Sequence, residues 1–286
     1  MKNGKAKLVA KIAALLILLA TAAFFGGPSE KKSSSLCTTQ DLNQKKLAGI
    51  TGMRISEENA GVFFETLLGI SLSGYHAVDT MPELMYELKS GRADAIWCPD
   101  VTARYLLHTE EGKELVSLTA PKDTAQSAEN GGRLEFALAL RPEEETLCTE
   151  LSAAIREMQA DKTLEKLLVA YVEADTPMDF YADEKGSGRK LYVGVTGTLP
   201  PLDRYDKNGI PCGFSQAFLS EMAGHTGYRF IPVKVTPQDA FTALCSGKVD
   251  LLFCFGTGKN TTPGKRDYIT TCGYYTMQEY AYLSVK

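Results

Sequence analysis

The sequence predicts an α/β protein built from two related units, and three observations carry that expectation. Residues 88–98 read LKSGRADAIWC and residues 244–254 read LCSGKVDLLFC, so one pattern of Leu, Ser-Gly, cation, small apolar residue, Asp, apolar run and Cys occurs twice. The interval from Thr80 to Thr236 equals that from Asp94 to Asp250. Upstream, KLAGITGM (46–53) and LYVGVTGT (191–198) share Gly-apolar-Thr-Gly, at a shorter interval that one extra loop in the second copy would explain. That loop is legible between Leu199 and Cys212, where Pro200, Pro201, Asp203, Asp206, Asn208 and Gly209 crowd together as turn residues. Each repeat reads as a helix closing at a glycine free to turn left-handed (Gly91, Gly247), with a cation near its carbonyl end and a short buried strand beyond.

Taken in order, Leu47–Thr51 is a strand, Ser56 is the expected N-cap of a helix reaching about Leu68, and Val62, Phe63, Leu67 and Leu68 form its buried stripe. Tyr75–Val78 is the next strand. Pro82–Lys89 is the helix of the first repeat and Ala95–Cys98 its strand; Val101–Leu107 is a short helix and Leu115–Leu118 a strand. After a polar loop at 122–132, the run Leu134–Leu140 is an apolar strand. Pro142 and the acidic Glu143–Glu145 open a helix whose Leu147, Leu151, Ile155 and Met158 recur at helical spacing, and Leu164–Val172 is a further helix. Residues 173–189, rich in Pro, Gly and charge, read as a linker. The second unit follows as strand 191–195, helix 215–223, strand 229–235, helix 238–245 and strand 249–255; 256–266 is a loop and Tyr275–Val285 a final strand.

Composition bounds the function. The chain has 286 residues, 44% hydrophobic and 23% charged, with a net charge of −4. Lys2, Lys5, Lys7 and Lys11 fall in a first segment free of acids, so the remainder is more acidic still and offers no basic face to nucleic acid. Those lysines border an apolar run from Ile12 to Gly27 with small residues at Ala20, Ala22 and Ala23, the pattern of a secretory signal or a retained N-terminal anchor. Seven cysteines, an odd number and without Cys-x-x-Cys, favour neither a disulfide framework nor a zinc site; Cys98, Cys245 and Cys254 are expected as small core residues. No HExxH, GxSxG, phosphate-loop or dinucleotide fingerprint occurs, no residue is assigned a catalytic or metal-binding role, and no cofactor is expected.

LYVGVTGTLPPLDRYDKNGIPCGF (191–214), SGKVDLLF and TTPGKRDYITTCGYY (261–275) resemble the extracytoplasmic solute-binding proteins of amino-acid ABC transporters. RADAIWCPDVTARYLL (92–107) and residues 134–168 are similar to the second lobe of such proteins. The resemblance implies a periplasmic-binding-protein-like fold, two α/β lobes joined by hinge strands. Because the unit resembling the family's first lobe comes second here, it also implies a circularly permuted order. The expected divisions are a signal peptide or anchor (1–27), a polar tether (28–39), lobe A (40–132), a hinge strand (133–141), closing helices packed on lobe B (142–172), the linker (173–189), lobe B (190–275) and a second hinge strand (276–286).

In such a fold the loops after the strands face a cleft that closes on a solute. The resemblance places the carboxylate-holding Arg of the family at Lys265, with Arg266 beside it; Lys is a point charge rather than a bidentate fork. Arg54 would add a cation from the other lobe. The family's amine-holding Asp falls at Pro99, with Asp100 one position later, and its aromatic platform falls at Leu202, with Tyr205 as substitute. Thr51, Thr257 and Thr262 offer hydroxyls, and Gly52 and Gly256 admit close backbone approach. The expected protein is a monomeric, exported, non-enzymatic binding protein delivering a small polar solute, an amino acid or related carboxylate, to an ABC transporter permease or a membrane sensor. The alternatives are a two-lobed sensor or interaction module without solute capture, and a dehydratase-like enzyme on the same scaffold.

Overall fold

The structure is a computed structural model that describes residues 36–51, 55–119, 134–174, 177–181, 186–257, 267–277 and 280–286. The expected signal segment, the polar loop 122–132 and most of the loop 256–266 lie outside the described residues. The first half runs β1 (Lys46–Ile50), α1 (Ala60–Leu68), β2 (Gly74–Val78), α2 (Met81–Lys89), β3 (Ala95–Pro99), α3 (Asp100–His108) and β4 (Leu115–Ser117). Then come β5 (Leu134–Leu140), α4 (Glu145–Ala160) and α5 (Thr163–Leu168), the last continuing as a π-turn to Glu173. The second half runs β6 (Lys190–Val195), the hairpin β7 (Arg204–Tyr205) and β8 (Pro211–Cys212), α6 (Phe214–Thr226), β9 (Arg229–Lys234), α7 (Pro237–Cys245) and β10 (Leu251–Thr257). It ends with β11 (Ile269–Thr270), β12 (Tyr275–Met277) and β13 (Tyr280–Val285).

These strands make two mixed sheets with one strand order. The first is β2-β1-β3-β13-β4; the second is β9-β6-β10-β5, with β11 and β12 both pairing the far side of β5. In each, three parallel strands from one half are followed by an antiparallel strand from elsewhere in the chain. That guest strand is β13 in the first sheet and β5 in the second, so the fold is two α/β lobes that exchange a strand. The expected single strand 275–285 is therefore two: β12 pairs Phe136 and its neighbours in the second sheet, and β13 pairs Trp97 and its neighbours in the first. The polar pair Gln278-Glu279 divides the run between Met277, the last residue of β12, and Tyr280, the first of β13.

The repeated stretch explains itself in the backbone. Thr80 and Thr236 each cap a helix by accepting the N–H three residues on. Gly91 and Gly247 each take a positive φ, of 73° and 76°, that closes the helix. Asp94 then accepts the Lys46 N–H at 2.9 Å and donates its own N–H to the Lys46 carbonyl; Asp250 does the same with Tyr192, at 2.8 Å. Asp94 thus pairs the first N–H of β1, and Asp250 the N–H of Tyr192, two residues into β6.

Helix α4 presents Leu147, Leu151, Ile155 and Met158 to the core, as their spacing predicts. Helix α1 differs. It begins at Ala60, after Ser56 has closed a preliminary turn with Asn59, and buries Ala60, Phe64 and Leu68. Val62 is 72% exposed, because the i, i+4 row from Ala60 turns it to solvent. Cys98 and Cys254 are buried, but Cys245 is exposed on the outer face of α7 rather than in the core. Within the expected linker, the described residues 177–181 are docked on the second lobe. Phe180 packs edge-on against Tyr171 with its carbonyl accepting Gly213 N–H, and Asp179 pairs with Arg204.

Candidate interlobe cleft

The parallel strands of each sheet end on the side that carries the candidate loops. In the first lobe these ends lead into Thr51, Asp79 and Asp100; in the second they lead into Thr196, Val235 and Thr257. The two sets of ends meet at one point: Gln238 Nε2, at the start of α7, donates to Asp79 Oδ1 at 2.9 Å. Further along, α3 of the first lobe faces the second. Asp100 and Arg104 on α3 act electrostatically on Tyr275 of β12, and the Tyr105 ring lies 5.9 Å from the Arg204 guanidinium. Burial, with Asp100 adding to it, pushes the Tyr275 phenol up to about 12.

Of the sequence-predicted residues, Gly52, Arg54, Thr262, Lys265 and Arg266 lie outside the described residues. Thr51 continues β1, its N–H bonded to the Val78 carbonyl at 2.8 Å. Asp100 opens α3 directly after Pro99; Oδ2 meets Arg104 at 3.7 Å, while Oδ1 is sealed from solvent with no partner among the described residues. Leu202 is wholly buried, so it serves as floor and offers no platform surface. Tyr205 is half-buried, donates to the Val195 carbonyl at 2.6 Å, and carries the Lys234 ammonium 4.7 Å from its ring. Its ring fills the space beside Gly197, where a Cβ would lie 2.2 Å from it. The Thr257 hydroxyl is committed to the Glu135 carbonyl, and Gly256 packs on Leu134. Thr51 and Asp100 belong to the first lobe and Tyr205 and Thr257 to the second, and the hydroxyls of Tyr205 and Thr257 are already engaged.

The sequence reading missed Asp203. It is wholly buried between Leu202 and Arg204, and its Oδ2 accepts the Thr196 N–H (2.8 Å), the Gly197 N–H (2.9 Å) and the Thr196 hydroxyl (3.1 Å). It therefore fixes the loop leaving β6 on the cleft side. Burial raises its carboxyl pKa above the ordinary 3.8, although the Gly197 and Thr196 donors work the other way. Below lies an aromatic cluster of Phe214, Phe218, Phe253 and Tyr274, with the Tyr274 hydroxyl accepting the Cys254 N–H at 2.9 Å. The signal was an acid among turn residues; nothing local marked it as buried. Among the described residues no three His, Cys, Asp or Glu are grouped to hold a metal, and no helix is long and apolar enough to cross a membrane.

Residues 191–270 match the family model of bacterial extracellular solute-binding proteins, family 3. No curated protein matches the sequence. Among solved structures, the chain is similar to a ligand-binding component of an ABC-type import system from Staphylococcus aureus with zinc bound. There the identity is 11% and the TM-score 0.42, over 85% of this chain and 66% of that one. It is also similar to a phosphate-binding protein of a phosphate ABC transporter from Streptococcus pneumoniae (9% identity, TM-score 0.39, 85% and 88% covered). A third likeness is to the BvgS periplasmic domain of B. pertussis (12% identity, TM-score 0.41, 85% and 37% covered), of which the chain spans little more than a third. In the segment 191–270, which holds the β6 strand, the hairpin and the second repeat, this chain is similar to the bacterial extracellular solute-binding proteins of family 3.

Proposed function

We propose that the chain is an exported, monomeric solute-binding protein that captures a small polar solute, an amino acid or related carboxylate, between its lobes and passes it to an ABC transporter permease. The observation that carries this reading is the opposition of the strand ends of two sheets with the same strand order, met at Asp79 and Gln238. Solute contacts from both sides would select the closed arrangement. In this reading Arg54, Lys265 and Arg266 supply cations to a carboxylate, and Asp100 an anion to an amine; the halves stand in a circularly permuted order relative to the family.

One observation favours a second reading, a two-lobed sensor or interaction module that has lost solute capture. Asp100 is already answered by Arg104, and the lobes make direct side-chain contacts with each other. Thermal unfolding and titration calorimetry against a panel of amino acids, carboxylates and other small polar metabolites separate the two. A true solute at about 100 times its Kd should add roughly 2.7 kcal/mol of stability and bind at one saturable site. No shift and no saturable heat across the panel would remove the solute-capture reading.

A further inference from the structure

Arg204 sits where three parts of the chain meet. It is only 8% exposed. Its Nη2 donates to Asp179 Oδ1 at 2.5 Å and to the Met178 carbonyl at 3.1 Å, both in the docked segment 177–181. Its Nη1 donates to Cys212 Sγ at 3.1 Å, across the β7–β8 hairpin. Its guanidinium carbon lies 5.9 Å from the centre of the Tyr105 ring, on α3 of the other lobe. Gly213, at φ 78°, lets the guanidinium lie against the backbone, since a Cβ there would come within 3.0 Å of Nε. The same Gly213 donates its N–H to the Phe180 carbonyl at 2.9 Å, a second anchor for the segment.

We infer that Arg204 couples the docking of the 177–181 strap to the closure of the two lobes. One guanidinium serves both contacts, so neither breaks without weakening the other. If the strap departs, Arg204 loses its acidic partner Asp179 and the Met178 carbonyl together. A buried cation without a counter-charge is unfavourable, so it swings toward water and leaves Tyr105. If the lobes part, Tyr105 leaves, water reaches the guanidinium, and the Asp179 pair weakens as the local dielectric rises. The coupling is reciprocal by thermodynamic necessity: whatever pulls the strap away opens the lobes, and whatever closes the lobes holds the strap. This makes 177–181 a regulatory strap, and it does so whether or not a solute binds between the lobes.

The test reads each contact after altering the other, on the full chain without solute. Tyr105→Ala leaves the strap's bonds to Arg204 and Gly213 in place, and Tyr105→Phe, which keeps the ring beside Arg204, controls for the hydroxyl's direct electrostatic effect on Asp179. Tyr105→Ala should speed chymotryptic cleavage after Phe180 and Tyr181, mapped by mass spectrometry, by at least about 5-fold, the low end of ordinary coupling. Asp179→Ala leaves the Tyr105 ring and the Arg204 guanidinium themselves unaltered, and it should enlarge the radius of gyration in X-ray scattering. Arg204→Lys, which keeps the charge but loses the fork, should move both readouts partway. Asp179→Asn and Tyr105→Leu replace the harsher variants if circular dichroism shows those unfolded, and Tyr192→Ala, exposed on β6, should change neither readout. If each variant alters only the contact it removes, strap and lobes are independent and the inference is overturned.

Discussion

The duplicated aspartates allow a test in which the protein is its own control. Asp94 and Asp250 each hold a backbone N–H of the leading strand in their lobe, Lys46 and Tyr192, but their surroundings differ. The Asp250 side chain is 17% exposed and also meets Arg141 at 3.4 Å; that of Asp94 is 39% exposed and its cation, Lys45, is 3.9 Å away. Removing a charged acceptor from a backbone N–H costs about 1.5–3 kcal/mol, with the upper part reserved for groups that water cannot reach. Asp250→Ala strands the Tyr192 N–H in the drier place. Arg141 keeps Glu143 and Glu144, at 3.2 and 3.5 Å, so its own charge is not orphaned and adds little. The expected loss is about 2–3 kcal/mol for Asp250→Ala and about 1–1.5 kcal/mol for Asp94→Ala, where water replaces the acceptor. Urea unfolding at neutral pH should show both as lower midpoints at unchanged slope. Equal losses, or an Asp250→Ala loss below about 0.5 kcal/mol, the range of an ordinary surface substitution, would refute the reasoning.

Three further outcomes follow from single residues. Gly49→Ala should destabilise by about 1–3 kcal/mol, because its Cβ would lie 2.2 Å from the Tyr75 hydroxyl. Tyr75→Phe should rescue most of that loss, since the same buried hydroxyl has no hydrogen-bond partner among the described residues, and calorimetric melting of the single and double variants measures it. Asp203 has its folded pKa raised by burial, so what it contributes is full below the unfolded value of 3.8 and is lost as pH rises through the folded value. The melting temperature of Asp203→Asn relative to wild type should therefore climb as pH rises from 3.8; parallel curves would show that the buried carboxyl is not titrating. Among the thiols, Cys37 and Cys245 should react first with a disulfide reagent and Cys98 and Cys254 only on unfolding, because the latter pair are buried and burial pushes the Cys98 thiol up to about 12.

What the sequence disclosed and what it concealed divide along physical lines. The α/β units, their repeat and nearly every helix and strand were legible, because caps, helix-closing glycines and apolar periods act over a few residues. The stripe of α1 was misjudged because Phe63 and Phe64 are adjacent, and only the later helix start at Ala60 decides which turns inward. The passage between sheets after Met277 is marked only by the polar pair Gln278-Glu279, too short to read as a strand break before the apolar pattern resumes at Tyr280-Ala281-Tyr282-Leu283. The resemblance placed the family's aromatic platform at Leu202, yet that side chain is wholly buried, which the turn residues around it do not signal. Arg204 and Asp179 read as polar residues of a turn and a linker; their pairing, like that of Asp79 with Gln238, spans a separation no local pattern encodes.

The exchanged strands bear on how the molecule comes together. Each guest lies inside its host sheet, β13 between β3 and β4 and β5 between β10 and β11, rather than along a margin. A fragment ending before β5 would carry a gap where β13 belongs and a β4 without its sheet partner. The complementary fragment beginning after β5 would lack the partner of both β11 and β12. Neither portion is a self-sufficient folding domain, so the two should acquire structure together, and separately expressed portions should gain order only on mixing.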